Sequence, residues 1–131
     1  MTEVIARGEE AMLGLGAALA RVLRAGDVIA LSGGLGAGKT TLARGLLAAL
    51  GLEEEAPSPT FAIVQPYAPP EVSLAVAHVD LYRLDDPAET EELGLDEYLA
   101  DGALLIEWPE RMGNRMWRDA LHLSIEILDD G

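Results

Sequence analysis

Residues 33–41 read GGLGAGKTT, Gly33 to Thr41, and hold the only lysine of the chain, Lys39. The other basic residues are all arginine: Arg7, Arg21, Arg24, Arg44, Arg83, Arg111, Arg115 and Arg118. A chain that otherwise uses arginine for every positive charge has kept one lysine, between a glycine and a threonine. The flanks of this stretch decide the fold. Before it, DVIAL (residues 27–31) is a short apolar run that reads as a buried strand. After it, KTTLARGLLAALG reads as a helix with Leu42, Leu46 and Leu50 on one side, closed by Gly51. Strand, glycine loop and helix follow one another within about 25 residues, the layout of a phosphate-binding βα unit.

The spacing Gly33-x4-Gly38-Lys39-Thr40 matches the G-x-x-x-x-G-K-[ST] pattern, and each residue type has a task. The glycines let the backbone wrap so that the N–H groups of Gly33, Gly34, Leu35, Gly36, Ala37 and Gly38 form an anion nest. The helix beginning near Lys39 adds the positive end of its dipole. Lys39 reaches the outer phosphates as a compact point charge, which the planar fork of arginine would not do in so tight a loop. Thr40 offers a hydroxyl to Mg²⁺, and Thr41 can bond an inner phosphate oxygen.

Such a loop needs a carboxylate on the metal side, at the end of an apolar strand. VAHVD ends at Asp80 and ALLIE ends at Glu107. One of them should meet Mg²⁺, and the other could orient an attacking water as general base. SPTF places Ser58 and Thr60 between the loop helix and Asp80. It reads either as a proline-bracketed turn or as a threonine switch that senses the outer phosphate. His78, on an apolar strand, reads as a core histidine rather than a catalyst, and His122 as structural. Tyr82 and Arg83 either contact phosphate or cover the surface. Trp108 reads as a core or partner contact.

The rest of the chain supplies the remaining layers. GEEAMLGLGAALARVLRAG has Met12, Leu15, Leu19 and Leu23 at helical spacing and Gly26 as its stop signal. FAIVQPY reads as a strand that Pro66 pushes to a sheet edge. LAVAHVDLYRL (74–84) and ALLIEWPE (103–110) read as buried strands, the second stopped by Pro109. DDPAETEELGLDEYLA reads as one or two short surface helices. ALHLSIEIL (120–128) alternates as a half-exposed final strand. The expected fold is α/β, a single P-loop NTPase-like domain over residues 1–131 with a mostly parallel mixed sheet flanked by helices. Some antiparallel pairing is expected in the proline-rich middle and in the alternating tail.

Composition narrows the function. The chain carries a formal net charge of −14, from nine basic and twenty-three acidic residues. Nucleic-acid binders neutralise phosphates with a basic face, so any nucleic-acid role would run through a partner protein. The charge reads first as a solubility surface and second as an acidic docking patch. With no cysteine there are no disulfides, zinc fingers or iron–sulfur ligands. No apolar run reaches the ~18 residues of a membrane span and no signal peptide is visible, so a cytoplasmic location without membrane contact is expected. Guanine-specific GTPases read the base with an N-K-x-D segment, and a chain whose one lysine is Lys39 has none. ATP is therefore the expected nucleotide. A small-molecule kinase would want arginines in a lid, and ERMGNRMWR (110–118) is the candidate. A regulatory ATPase that drives a partner's cycle suits the small size better.

The segments LSGGLGAGKTTLARGLLAALG, SPTF, HVDLYRL and IEWPE, in this order and at about these spacings, resemble the TsaE (YjeE) family, small bacterial ATPases of tRNA threonylcarbamoyladenosine biosynthesis. The resemblance runs from about Leu15 to Glu110. It implies a compact P-loop α/β domain that binds ATP and Mg²⁺ and joins the TsaB–TsaD pair, which modifies the tRNA adenosine beside the anticodon. By motif, Lys39 would hold phosphates, Thr40 and Glu107 would hold Mg²⁺, and Asp80 would serve hydrolysis. Ser58 to Thr60 would form a switch-like loop. Two positions depart from the family: Gly34, where aspartate is usual, and Met12, where a threonine near the nucleotide is frequent.

Overall fold

The computed structural model describes residues 8–33, 38–53, 64–84 and 86–125. Among these residues the chain forms α1 (Gly8–Val22), β1 (Val28–Ser32), α2 (Lys39–Ala49), β2 (Val64–Tyr67), β3 (Ala75–Asp80), α3 (Leu95–Tyr98), β4 (Gly102–Glu107) and β5 (Leu121–Ser124). Two 3₁₀ helices, Pro87–Leu93 and Pro109–Arg115, lie between β3 and β5. The five strands make one sheet in the order β2-β3-β4-β1-β5. β3, β4, β1 and β5 run parallel, and β2 pairs antiparallel with β3 at the edge.

The strand pattern follows burial. All residues of β4, GALLIE, are buried, as a central strand covered on both faces requires. In β2, Pro66 lacks an N–H for a ladder and is tolerated because the strand is an edge. One face of the sheet presents Ile29, Leu31, Val76 and Leu105 to α1 and α2. The other presents Val28, Ala77, Val79, Leu104 and Ile106 to Leu84, Leu95 and Met112 from the short helices and their flanks.

α2 is closed by a Schellman motif: Gly51, at φ 116°, gives its N–H to Ala48 O, and Leu52 gives its N–H to Leu47 O. Its buried face holds Leu42, Leu46, Leu47 and Leu50, beyond the three leucines read from the pattern. The first helix stops at Val22, short of Gly26. There Asp27 caps the backbone N–H of Arg24 at 2.8 Å, and Gly26 turns at φ 94° to donate to Gly102 O.

The final strand corrects one expectation. The alternating tail was expected to pair antiparallel, but β5 runs parallel to β1, with Ile29 opposite Leu121 and Ser32 opposite Ser124. Alternation reports burial on one face of an edge strand and carries no information about direction. Antiparallel pairing is confined to β2 among the described residues.

α1 and α2 touch backbone to backbone at two glycines. A Cβ on Gly16 would lie 2.1 Å from Leu42 O, and one on Gly45 would lie 2.2 Å from Leu13 O. Gly45→Ala should therefore force the helices apart and cost about 1–3 kcal/mol, read as a lower urea midpoint. An unchanged midpoint would show that the helix pair yields without strain.

Candidate active site

β1 delivers the chain to Gly33, which sits at φ 147°, and the chain re-enters the described structure at Gly38, left-handed at φ 103°. Both conformations favour glycine. α2 starts at once, with Leu42 N–H bonded to Gly38 O at 3.0 Å. Gly34, Leu35, Gly36 and Ala37, and Ser58 and Thr60, lie outside the described residues. Thr40 and Thr41 occupy the first turn of α2, half-buried. Met12 of α1 abuts this turn: a Cβ on Gly38 would lie 3.2 Å from Met12 Cε.

Lys39 is only 5% exposed. Its Nζ donates to Gly33 O at 2.7 Å and stands 3.5 Å from the centre of the Trp108 ring. The ammonium is thus folded back toward the start of the loop, as the motif requires.

The parallel ladder sets Asp80 opposite Glu107, and Glu107 opposite Leu31 of β1. Both acids therefore sit at carboxyl ends of neighbouring parallel strands, where open α/β sheets place ligand crevices. His78 lies two residues before Asp80 on the same face of β3. Its Nε2 is 2.6 Å from Glu107 Oε2, with both side chains almost fully buried. A carboxylate only accepts, so Nε2 carries the hydrogen and donates. Nδ1 of His78 is buried without a partner among the described residues.

Burial raises the Asp80 carboxyl above its ordinary value of 3.8. The Tyr82 N–H bonded to it at 3.0 Å works against that rise, Glu107 adds to it, and His78 and Lys39 lower it. The donor set suits magnesium, a hard cation that commonly takes one or two carboxylates and completes its shell with water and substrate phosphates. Thr40 and Glu107 provide a hydroxyl and a carboxylate, and the ring of His78 fixes one carboxylate oxygen as an outer-shell partner would.

The structure therefore brings together Gly33, Gly38, Lys39, Asp80 and Glu107, with Thr40 and Thr41 on the adjoining turn. Two partners escaped the sequence reading. His78 was read as a core residue, yet its bond to Glu107 ties it to the site. The signal was its parity with Asp80, which puts both on one face. Trp108 was read as a core or partner contact but lies on Lys39; its place directly after a strand-end acid was the only hint. His122 is exposed on β5, away from these groups.

A family model described as "Threonylcarbamoyl adenosine biosynthesis protein TsaE" matches residues 6–131. The chain is 44% identical over 113 residues to the tRNA threonylcarbamoyladenosine biosynthesis protein TsaE of Streptomyces coelicolor, covering 86% of this chain and 76% of that one. It is 40% identical over 106 residues to the protein of the same name from Bacillus subtilis, covering 80% of this chain and 65% of that one. The crystal structure of Bacillus subtilis YdiB superimposes with a TM-score of 0.77 at 30% identity, over 94% of this chain and 74% of that one.

Two stability measurements check the electrostatics. The folded chain holds the Asp80 proton more tightly than the unfolded chain, so Asp80 subtracts stability as pH rises through the window above 3.8. Asp80→Asn should raise the urea midpoint at pH 7 and lose that advantage below about pH 4. An equal gain at both pH values would exclude the ionised carboxyl as its source. His78→Ala leaves the Glu107 carboxylate buried and unpaired, and should cost about 3 kcal/mol at pH 7; a loss within error would mean that water replaces the imidazole at no cost.

Proposed function

The chain belongs to the TsaE family, and from that premise we propose that it binds and hydrolyses ATP with Mg²⁺ and thereby supports threonylcarbamoylation of the tRNA adenosine beside the anticodon, acting through the TsaB–TsaD pair. The observation that carries this reading is the meeting of one buried lysine, bonded back to Gly33 O, with two acids set opposite each other at the ends of neighbouring parallel strands. Lys39 would draw charge from the outer phosphates as the terminal bond breaks. The Asp80 carboxyl, raised by burial, is tuned toward accepting a proton from the attacking water. His78 keeps the Glu107 carboxylate in one orientation. Mg²⁺, held by Thr40 and Glu107, would neutralise developing charge on the phosphate oxygens.

The net charge of −14 supports contact with tRNA through partner proteins rather than by this chain alone. Among the described residues no helix is long and apolar enough to cross a membrane. We propose the cytoplasm, where the tRNA is, as the site of action.

A kinase lid would need residues 110–118 free to move, and against that alternative three of them are tethered: Met112 is buried, Arg115 pairs with Glu91, and Trp117 Nε1 donates to Asp96 at 2.8 Å. These contacts hold the segment against the short helices and leave Arg115 engaged.

ATP hydrolysis by the purified protein, alone and with the TsaB–TsaD pair, tests the reading. Slow turnover that rises with the pair and vanishes in Lys39→Ala is expected. Asp80→Ala should keep ATP binding and lose on the order of 100-fold in turnover, and Glu107→Ala should weaken binding only when Mg²⁺ is present. Brisk turnover indifferent to the pair, or stimulation by a protein-free metabolite fraction, would return the kinase reading.

A further inference from the structure

The turn that opens α2 has nothing of its own to hold it. Gly38 is the N-cap of the helix: its carbonyl accepts Leu42 N–H at 3.0 Å, and it brings no side chain to bond the N–H groups of the first turn. Serine, threonine, aspartate or asparagine at this position would supply that bond. Glycine enters φ 103° about as readily as negative φ, so its own backbone preference does not select the observed turn. Yet this turn sets where the N–H groups of Lys39, Thr40 and Thr41 point. Those groups have no acceptor within the helix and are its share of an anion site.

The restraint comes from α1. A Cβ on Gly38 would lie 3.2 Å from Met12 Cε, 3.6 Å from its Cγ and 3.9 Å from its Sδ, so the thioether side chain fills the space beside this glycine. Met12 is half-buried and packs on the core beneath both helices. It lies one helical turn before Gly16, as Gly38 lies one turn before Leu42. Gly16 is where α1 meets α2 most closely, with a Cβ there falling 2.1 Å from Leu42 O. The helix contact therefore delivers Met12 onto Gly38 one turn further on, along the same face. The second close approach, Gly45 against the Leu13 backbone, pins the chain neighbour of Met12. Neither helix can slide without carrying this side chain off the turn.

We propose that Met12 is a positioning residue for the phosphate loop: its side chain holds Gly38 in the turn that aims the first N–H groups of α2 at a polyphosphate, and does so without touching the ligand. A turn already in the binding geometry loses no freedom when the ligand arrives. Releasing Gly38 lowers the fraction of competent protein and weakens every phosphate ligand by the same factor. The proposal rests on reading the loop as a phosphate site.

The test is affinity by calorimetry in EDTA for ATP and for inorganic tripolyphosphate, which share the phosphates and differ in the nucleoside. Met12→Ala should weaken both by about three- to fivefold, and Met12→Leu, which refills the space, should stay within about twofold of the unmodified chain. Leu19→Ala, which thins the packing of the same helix away from the loop, should lower the urea midpoint and leave both affinities unchanged. Unchanged affinity in Met12→Ala overturns the proposal. So does a loss confined to ATP, which would place Met12 on the nucleoside, and so does an equal loss in Leu19→Ala, which would reduce Met12 to general support of α1. A second arm needs no ligand. Amide exchange at Leu42, read relative to Leu46 further along α2, should quicken about threefold in Met12→Ala and recover in Met12→Leu; unchanged exchange overturns the restraint. Should Met12→Ala fail to fold, Met12→Val, also too short to reach Gly38, takes its place. If the unmodified chain binds neither ligand, the reading of the loop fails, while the exchange at Leu42 still judges Met12.

Discussion

β4 hydrogen-bonds to β3 on one side and to β1 on the other, and every one of its residues is buried. This double ladder makes the site. Its register with β1 sets Glu107 beside Leu31, where the chain leaves the sheet for the glycine loop, and its register with β3 sets Glu107 beside Asp80. A slip of one residue in either ladder would turn Glu107 to the opposite face of the sheet. The apolar positions Leu105 on one face and Leu104 and Ile106 on the other, each packed into its own core cluster, are what forbid that slip.

The buried charges at this corner are met by protein groups, while Asp80 is only half-buried. Glu107 is answered by the ring of His78, Lys39 by a carbonyl and an indole face, and Asp80 by one backbone N–H. Asp80 is the least satisfied, and the rise of its carboxyl expresses that. Catalytic groups commonly sit in such compromises, where a pKa is set by incomplete compensation.

What could be read from the sequence was whatever is local. The loop was legible because its glycines and lysine are set by steric and charge demands within nine residues, and α2 because its leucines repeat at helical spacing. The strand ends at Asp80 and Glu107 were legible as acids closing apolar runs. The bond between His78 and Glu107 was not, since it joins residues 29 positions apart and depends on the register of two strands. The contact of Trp108 with Lys39 depends on a left-handed turn that tryptophan does not advertise. The direction of β5 was not legible either, because alternation has the same period whichever way a strand runs.

The position of β1 bears on how the protein is made. Both of its neighbours, β4 and β5, come from the last third of the chain. During vectorial synthesis the helical hairpin of α1 and α2 can close early, through Gly16 and Gly45, while the apolar strand between them stays unpaired until the C-terminal segments emerge. Pairings this distant in sequence form late and leave apolar edges exposed meanwhile. The same strand order that gathers the site therefore ties its completion to the emergence of β4, so that a nascent chain ending before it carries the glycine-rich loop and Asp80 without Glu107 beside them.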